Sequence, residues 1–497
     1  MHQNLADALL ALSRLYPDRI AIDAPEYTLS YREMMERAHR LATLLRQEKI
    51  GLGDRVGVAL TSNAEALVAV IALWLLGATA MVTDFRSRAA ERQKLTERLG
   101  LKFYLEDRAA PGGEAYPAFQ ILPDWTAKVQ SQAGIGPSAA VSGNRVAIIG
   151  VSSGTSGLPQ PVTLSHDCLF ARSCMARASA QWEPGGRFIV SAPLAFSATR
   201  KHVLARLLDG GTIIFTPLLM SARDLAQRIL SSRATAMLTV PTILRGLLAL
   251  SQPGKIMFPD LAYLMCCGAP MLPQEKIDTL ERISPGFVQN YGSTMAGMIT
   301  VLASKDVKLH VNSVGRPLDH VLTEIVDGQG NLVAPGETGI IRVRTPGIAE
   351  DFPGPESEKR QSDLVVDGWI YPGDIGSLDA DGFLTIAGRS SDVIIRGGVN
   401  VFPSEVEEVL GLHPQVSESA VVGAPDAVLG EEIAAFVVLK GKASAQELLA
   451  HCRNRLHPDK QPRQVLIVDS LPRNANGKVV RKDLIALLPP AHGSVHA

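Results

Sequence analysis

Residues 150–166 read GVSSGTSGLPQPVTLSH, and this stretch decides how the rest of the chain is interpreted. Small hydroxyl and glycine residues fill its first half, directly after an apolar run that predicts a strand. Glycines let the backbone approach a bound group closely, and unpaired N–H and O–H groups can donate to an anion. A phosphate-binding loop usually carries a lysine, but the corresponding position here is Gln160, and no Gly-Lys-Ser/Thr pattern follows. Taken alone, the stretch predicts either an anion-binding loop or a flexible surface linker.

Length and composition indicate a globular protein of about two to four domains. The chain has 497 residues, of which 46% are hydrophobic and 20% charged, and its formal net charge is −1. Without a basic excess, binding to nucleic acid is not expected. The five cysteines have no metal-like C-x-x-C spacing and are expected to be buried in a reducing compartment. The start of the chain lacks an export signal, so we expect a cytoplasmic protein.

One apolar segment, residues 66–82, has the length of a very short membrane span. Asn63 and Glu65 lead into this segment, and Gly77 interrupts it. These residues favour a buried helix of about three turns that ends near Gly77 and is followed by a short strand. No membrane span is therefore expected.

Strand-like and helix-like segments alternate through the first two thirds of the chain. The predicted strands span residues 55–59, 79–82, 145–151, 188–192, 212–216 and 236–240. Predicted helices include residues 64–76 and 221–232. Such alternation is typical of parallel sheets that are covered by helices. The predicted fold class is therefore α/β, with a large N-terminal domain of parallel-rich sheets covered by helices.

Short strands and turns at about residues 315–389 indicate a small β-rich subdomain. A separate α+β pattern follows, including a helix that starts at Pro403 and for which Ser404 is the expected N-cap. The change in pattern predicts a domain boundary near residue 390. The predicted domains are an N-terminal domain at residues 1–389 and a small α+β C-terminal domain at residues 393–497.

Four further clusters follow the first stretch. Residues 290–294 (NYGST) place an aromatic ring beside hydroxyl groups, and residues 371–374 (YPGD) place a carboxylate on a tight turn. Arg389 supplies a fixed cation after a glycine, and residues 472–478 (PRNANGK) place a lysine on a glycine turn. In this order and spacing, over most of the chain, the motifs resemble the acyl-adenylate-forming family. That family includes acyl-CoA synthetases, which the pattern resembles most, adenylation domains of peptide synthetases and beetle luciferases.

The resemblance implies an enzyme that joins a carboxylic acid to AMP from ATP, with Mg²⁺, and releases pyrophosphate. It implies that Tyr291 packs on adenine and that Asp374 accepts the ribose hydroxyls with help from Arg389. Thr294 would bond the α-phosphate, and Lys478 would bridge that phosphate and the acid. Other implied nucleotide-site residues are Ser152, Ser153, Gly154, Thr155, Ser156 and Gly157 at the β- and γ-phosphates, and Gly268, Ala269, Pro270, Asn290, Gly292 and Ser293 near the adenine and the acid.

The resemblance also implies a second step, in which the acyl group passes to a thiol. The C-terminal domain would swing about Ser391, within a hinge at residues 390–392, and bring Gly397 and Gly398 into the site. Glycines there let a narrow pantetheine arm pass close to the backbone. The thiol belongs to coenzyme A or to the phosphopantetheine of an external carrier protein, and both alternatives stay open. The sequence also leaves open the metal ligands and the oligomeric state.

The acid is expected to lie among apolar side chains. The predicted pocket residues are Phe196, Val240, Met265, Met295, Met298 and Ile299. Each of them is equally well explained as a core residue. Methionine adapts to irregular ligands, and no acidic residue is placed to meet a substrate ammonium group, so an apolar aromatic or aliphatic acid is expected. Arg200 and Lys201 either meet a second carboxylate or form the solvated start of a helix, and we expect the solvated start.

Three positions depart from the family pattern. Gln160 replaces a common lysine, Met295 replaces a glutamate thought to help hold Mg²⁺, and Phe196 stands where histidine is frequent. Losing one charge-assisted hydrogen bond costs about 1.5–3 kcal/mol, which weakens ATP use without abolishing it. We therefore expect an active acid–thiol ligase. The alternative is a catalytically impaired protein of the same fold that binds nucleotide or acyl groups.

Overall fold

The computed structural model of the chain describes residues 4–113, 115–121, 125, 139–152, 160–180, 183–217, 220–351, 364–426, 428–473 and 479–488. The chain divides into two compact units, one formed by Met1–Leu322 and Val343–Ile370 and the other by Thr323–Arg342 and Tyr371–Ala497. Parallel-rich sheets and helices both contribute substantially, which confirms the predicted α/β class. The predicted boundary at residues 390–392 stays a prediction.

Several helices of the first unit begin with a side-chain cap. Ser30 caps the second helix in a capping box with Glu33, whose carboxylate accepts from the Ser30 amide at 2.7 Å. In chain order, the described helices of this unit are α1 (Leu5–Leu15), α2 (Tyr31–Gln47), α3 (Asn63–Leu75), α4 (Ala89–Leu99), α5 (His166–Ala180), α6 (Ser197–Leu208), α7 (Ala222–Ser231), α8 (Pro241–Leu250) and α9 (Pro273–Asp278).

The strands are short, and several are buried along their whole length. In chain order they are β1 (Ile20–Asp23), β2 (Thr28–Ser30), β3 (Arg55–Ala59), β4 (Thr79–Val82), β5 (Tyr104–Glu106), β6 (Ala118–Gln120), β7 (Val146–Ser152), β8 (Gln160–Ser165), β9 (Arg187–Val190), β10 (Thr212–Phe215), β11 (Ala236–Thr239), β12 (Tyr263–Cys266), β13 (Phe287–Ser293), β14 (Gly297–Leu302), β15 (Arg316–Pro317), β16 (Leu322–Val326), β17 (Gly339–Arg344), β18 (Glu350–Asp351), β19 (Val365–Val366) and β20 (Trp369–Ile370).

Two sheets form the frame of the first unit. Among the described strands, nine form the sheet β15-β14-β13-β12-β11-β9-β10-β1-β2, and seven form the sheet β18-β8-β7-β4-β3-β5-β6. The inner pairs of both sheets are parallel, and the antiparallel pairs lie toward the edges. Every residue of β10, β11 and β12 is buried, as expected for parallel strands covered on both faces.

The apolar segment near residue 70 forms the buried helix that the sequence predicts. Every residue of α3 except Glu65 is buried. Trp74 Nε1 donates to the Ala147 carbonyl at 3.0 Å, and Gly77, with φ +71°, turns the chain into β4. In the part of the chain that the structure describes, no helix is long and apolar enough to cross a membrane.

The second unit contains the remaining elements, β21 (Asp374–Leu378), β22 (Leu384–Arg389), β23 (Ile394–Arg396), β24 (Val399–Val401), α10 (Pro403–Gly411), β25 (Val416–Asp426), β26 (Gly430–Leu439), α11 (Ala445–Arg453), β27 (Gln464–Ile467) and α12 (Arg481–Ile485). Here β16 pairs with β17, β17 with β21, and β21 with β22. The other sheet of this unit has the order β24-β23-β26-β25, with β27 beside β26. Val421 and Val422 lie in separate apolar cores on its two faces.

Most predicted segments agree with the structure within one or two residues, but the start of α10 differs. Its N-cap is Phe402, followed by Pro403 in the first turn. Ser404 does not cap the helix, because its hydroxyl donates instead to the Ala387 carbonyl. Proline is well suited to a first turn, where its missing N–H needs no partner.

Candidate active site

The carboxyl ends of β11, β12 and β13 meet at one edge of the nine-stranded sheet. The register places Thr239 beside Cys266 and Cys266 beside Gln289. Open α/β sheets bind ligands outside this edge of their parallel strands. Gly268 and the two residues after it are exposed there, and the Cβ position of Gly268 would lie 3.9 Å from Val240 Cγ1. The segments after β11 and β12 are therefore neighbours.

β13 and β14 form the antiparallel hairpin that carries the predicted Asn-Tyr-Gly-Ser-Thr cluster. Tyr291 is half-buried and stands opposite Thr300, after which the register shifts. A Cβ at Gly292 would lie 2.1 Å from the Gly297 oxygen, so only glycine fits. Asn290 Nδ2 donates to the Tyr291 and Thr300 carbonyls at 3.0 and 2.8 Å. The Asn290 side chain thus stabilises the hairpin that holds Tyr291 at the sheet edge.

A buried arginine holds the segment that follows this hairpin strand. Arg172, on α5, is 2% exposed. Its Nη2 donates to the Thr294 and Met295 carbonyls at 3.0 and 2.7 Å, and its Nε donates to the Gly347 carbonyl at 2.7 Å. Its Nη1 reaches Ser197 Oγ at 3.4 Å. One guanidinium therefore fixes the backbone on which the Thr294 hydroxyl is carried.

Sequence reasoning missed Arg172, although a signal for its burial is present. Cys168, Arg172 and Ala176 follow one another at intervals of four residues, which places them on one face of α5. All three are buried. Burial lowers the pKa of Arg172 from its ordinary value. Burying this charge costs free energy, and hydrogen bonds to carbonyls that lie far away in sequence offset that cost.

The predicted acid-pocket residues differ in burial. Phe196 and Val240, which directly precede α6 and α8, are half-buried. Met295 is 8% exposed. The other three predicted residues lie in strands and are at most 2% exposed: Met265, Met298 and Ile299. Phe196 and Val240 thus keep accessible surface, whereas the strand residues lie inside the core of the unit.

The expectation of a solvated helix start at Arg200 and Lys201 is wrong. Both side chains are buried, at 6% and 5% exposure, because every residue of α6 from Thr199 to Leu207 is buried. Arg200 Nη1 donates to the Leu194 carbonyl at 2.8 Å. Burial, with a smaller contribution from the nearby charge of Arg172, lowers the pKa of Lys201 to about 7.

In the second unit, Asp374 and Arg389 are partners across β21 and β22. Arg389 Nε lies 2.8 Å from Asp374 Oδ1. The carboxylate is buried, and the guanidinium is half-exposed. Gly373, with φ +81°, forms the tight turn before Asp374 and accepts from the Ser390 amide at 2.9 Å. The predicted carboxylate and cation of the two motifs are therefore brought together by strand register.

The predicted hinge and thiol-channel residues are exposed. Ser391 lies in the turn after β22, and its Oγ donates to Asp392 Oδ1 at 2.8 Å. Asp392 also forms an ion pair with Arg481 at 3.1 Å. Gly397 and Gly398 form the turn between β23 and β24 with φ of +57° and +86°, conformations that favour glycine.

Several predicted residues lie outside the described residues. They are Ser153, Gly154, Thr155, Ser156, Gly157 and Lys478, together with the side chains of Ser152 and Gln160. The backbones of Ser152 and Gln160 are partners in the antiparallel β7–β8 pair. This pair therefore holds the two ends of the segment 152–160 next to each other.

Comparison with known proteins agrees with these motifs. The AMP-binding enzyme family matches residues 11–352, and the AMP-binding enzyme C-terminal domain matches residues 405–478. The chain is 30% identical over 480 residues to the 2-succinylbenzoate–CoA ligase of Bacillus velezensis, covering 96% of each chain. It is 28% identical to the same-named ligase of Bacillus subtilis, covering 96% of both.

Solved structures give the same result. One is o-succinylbenzoate CoA synthetase (MenE) of Bacillus subtilis with the acyl-adenylate intermediate OSB-AMP, with a TM-score of 0.87, 27% identity and coverage of 97% and 98%. Another is ATP-bound MatB of Rhodopseudomonas palustris, with a TM-score of 0.87, 25% identity and coverage of 98% and 99%. The predicted resemblance is confirmed, and the chain belongs to the AMP-binding enzyme family, as an acid–thiol ligase of the acyl-CoA synthetase type.

Proposed function

We propose that this chain activates a carboxylic acid with an apolar body as an acyl-adenylate, using ATP and releasing pyrophosphate, and then passes the acyl group to a thiol. The observation that carries the proposal is the sheet edge where Gly268 and the Tyr291 hairpin lie side by side. Similarity to CoA ligases over 96% of the chain supports the same reaction.

The first unit holds the base and the phosphates. Adenine packs on Tyr291, which is half-buried at the sheet edge, and the α-phosphate accepts from the Thr294 hydroxyl. The 3.0 Å bond from Arg172 to the Thr294 carbonyl supports this placement, because it holds the backbone of the donor still. Residues 152–157 bind the β- and γ-phosphates, and the β7–β8 pair places the first of them, Ser152, opposite Gln160.

Two further residues act on the ribose and on the reacting atoms. Asp374 accepts the ribose hydroxyls, with Arg389 holding its carboxylate in place. Lys478 bridges the acid and the α-phosphate. A carboxylate that attacks a phosphate meets charge repulsion, so a cation at the reacting atoms lowers the barrier.

The thiol step uses a different set of residues. Rotation about Ser391, at a domain boundary of residues 390–392, removes the Lys478 turn and brings Gly397 and Gly398 to the acyl-adenylate. Their exposure and positive φ support a passage lined by backbone. The names of the relatives favour coenzyme A as the acceptor, and a carrier-protein phosphopantetheine is the other candidate.

Mg²⁺ fits this site as an ion carried by the nucleotide. Among the described residues, no group of three His, Cys, Asp or Glu side chains is placed to hold a metal, and Met295 offers no carboxylate. Mg²⁺ keeps several water ligands and is coordinated largely by substrate phosphates. A MenE structure in complex with ATP and magnesium ion, with a TM-score of 0.86, supports the ion as part of the ATP complex.

Pyrophosphate release tests the proposal. ATP, Mg²⁺ and a panel of aromatic and aliphatic acids should give acid-dependent pyrophosphate, and coenzyme A should then yield a thioester. Lys478→Ala should lower the rate by about 10²–10³-fold, the usual effect of removing one transition-state donor. Lys482→Ala, which changes an exposed lysine of α12, is the matched control.

A binding protein without catalysis is the second candidate, and Gln160 and Met295 favour it. ATP binding without pyrophosphate release for any acid would contradict the ligase proposal and support this candidate. The double change Gln160→Lys with Met295→Glu separates the two further. A rise from no activity to clear activity indicates decay of an ancestral enzyme, whereas little change indicates a working variant site.

A further inference from the structure

Asn63 is a buried polar residue at the start of α3, and the helix does not need it as a cap. Ser62 is the N-cap, and its hydroxyl accepts from the Glu65 amide at 3.4 Å. The Asn63 side chain is therefore free to bind elsewhere, although the residue is only 7% exposed. A buried amide side chain is costly unless its N–H groups and its oxygen find partners.

The partners of Asn63 lie in the 192–196 segment, which joins β9 to α6. Asn63 Nδ2 donates to the Ala192 carbonyl at 3.2 Å, and Asn63 Oδ1 accepts from the Leu194 amide at 3.0 Å. These bonds span 129 and 131 residues. One side chain thus links α3, which connects β3 and β4 of the seven-stranded sheet, to the end of β9 in the nine-stranded sheet.

Arg200 is a second buried side chain that holds the 192–196 segment. Its Nη1 donates to the Leu194 carbonyl at 2.8 Å and also to the Ala195 carbonyl. Within the segment, the Phe196 amide donates to the Pro193 carbonyl at 3.0 Å and closes a turn. Leu194 is therefore bound through its amide by Asn63 and through its carbonyl by Arg200, two residues before Phe196.

The end of this segment lies near the residue proposed to bind the α-phosphate. Ser197 follows Phe196 directly, and its Oγ accepts from Arg172 Nη1 at 3.4 Å. Nη2 of the same guanidinium donates to the Thr294 and Met295 carbonyls. One guanidinium therefore spans the distance between the start of α6 and the backbone of Thr294. Because the acid attacks the α-phosphate, we expect its apolar body to contact Phe196, which keeps accessible surface.

We propose that Asn63 is a positioning residue for the acid substrate, because it holds the segment that places Phe196. This inference rests on the proposed function. In this role Asn63 touches neither the substrate nor the reacting atoms. A wall of a binding site that is no longer held by its supporting residues fits its ligand less well. Binding of the acid should therefore depend on Asn63, whereas binding of ATP at Tyr291 and Thr294 should not.

Initial rates of pyrophosphate release test the acid role, with the aromatic or aliphatic acid that the wild-type protein uses best. Asn63→Ala should raise the KM for the acid about fivefold or more, because each lost hydrogen bond is worth about two- to tenfold in an equilibrium constant. The KM for ATP should stay unchanged. Asn63→Asp keeps an acceptor for the Leu194 amide and should raise the KM for the acid less.

Asn4→Ala is the matched control. Asn4 is a buried asparagine, at 0% exposure, whose Nδ2 donates to the Trp74 carbonyl at 2.7 Å. Its loss should destabilise the protein and leave both KM values unchanged. A general loosening of the fold would instead change the KM values of Asn4→Ala and Asn63→Ala alike.

Amide hydrogen exchange gives a readout that needs no activity. The Leu194 amide should exchange faster in Asn63→Ala than in the wild-type protein, and Asn4→Ala should not change its exchange relative to the rest of the unit. Unchanged exchange at Leu194 overturns the inference alone, and so does an Asn63→Ala variant that keeps its KM for the acid or raises both KM values equally. Failure of every acid to release pyrophosphate overturns the proposed function instead.

Discussion

Arg389 Nε lies 2.8 Å from Asp374 Oδ1, and the two residues are direct partners in the β21–β22 register. The carboxylate is buried, at 7% exposure, whereas the guanidinium is 47% exposed. The buried member of the pair is thus held in one orientation by its exposed neighbour. A fixed acceptor suits recognition of a pair of hydroxyl groups.

Asp374→Ala should raise the KM for ATP by about 10- to 100-fold, since each hydrogen bond to a charged group is worth about 1.5–3 kcal/mol. The KM for the acid should change little. Asp381→Ala, at the exposed tip of the same hairpin, is the control for hairpin folding. An unchanged KM for ATP in Asp374→Ala contradicts the ribose role. Initial rates of pyrophosphate release measure both constants.

Arg172→Met should destabilise the first unit, because three carbonyls lose their donor. Leaving buried acceptors unpaired costs about 1–3 kcal/mol each before relaxation, so we expect a loss of about 2–4 kcal/mol in chemical denaturation. The pyrophosphate rate should also fall, since the Thr294 backbone loses its support. Arg223→Met on α7, where the arginine is exposed, should change neither. Equal effects of both variants would contradict a specific role for Arg172.

The Met295→Glu variant tests whether residue 295 contacts Mg²⁺, separately from the effect of the substitution on stability. The site is 8% exposed, so a carboxylate there should lower the melting temperature of the free protein. Adding Mg²⁺ with ATP should restore part of the lost melting temperature in Met295→Glu. It should restore none of it in Met295→Gln. If Mg²⁺ with ATP shifts both variants equally, residue 295 does not contact the ion.

His166 should make the protein sensitive to acid. Burial lowers its pKa to about 4, while the Leu5 amide donates to Nδ1 at 3.3 Å and the ring meets Trp74 at 5.5 Å. Because the unfolded histidine has a pKa near 6.5, the unfolded state binds the extra proton first. Stability should therefore fall between about pH 6.5 and 4, by about 3 kcal/mol in total. His166→Gln should remove this part of the pH dependence of unfolding, and His457→Gln, at an exposed site, should not.

Much of the fold follows from sequence pattern. The predicted strands at residues 55–59 and 79–82 and the buried helix before Gly77 agree with the structure because apolar runs, a cap and a glycine stop act locally. The prediction for Arg200 and Lys201 fails because charge predicts exposure only when tertiary packing leaves a helix face free. α6 has no free face at that point.

The candidate site is predicted less completely. The motifs around Tyr291 and Asp374 are local and recognisable in sequence. Arg172 is not, because what distinguishes it is a set of carbonyl partners more than a hundred residues away. Hydrogen bonds from Arg172 to Thr294 span 122 residues. Sequence spacing carries no signal for such pairs, although helix periodicity does indicate burial.

Helix α3 has a consequence for how the protein is made. The indole N–H of Trp74 donates a hydrogen bond to the Ala147 carbonyl, which lies 73 residues later in the chain. On the ribosome this largely apolar helix emerges after α2, which packs against it, but well before β7. At about 5–20 residues per second, the face that β7 covers stays open for several seconds in every round of synthesis. The nascent chain therefore exposes apolar surface that the finished protein buries.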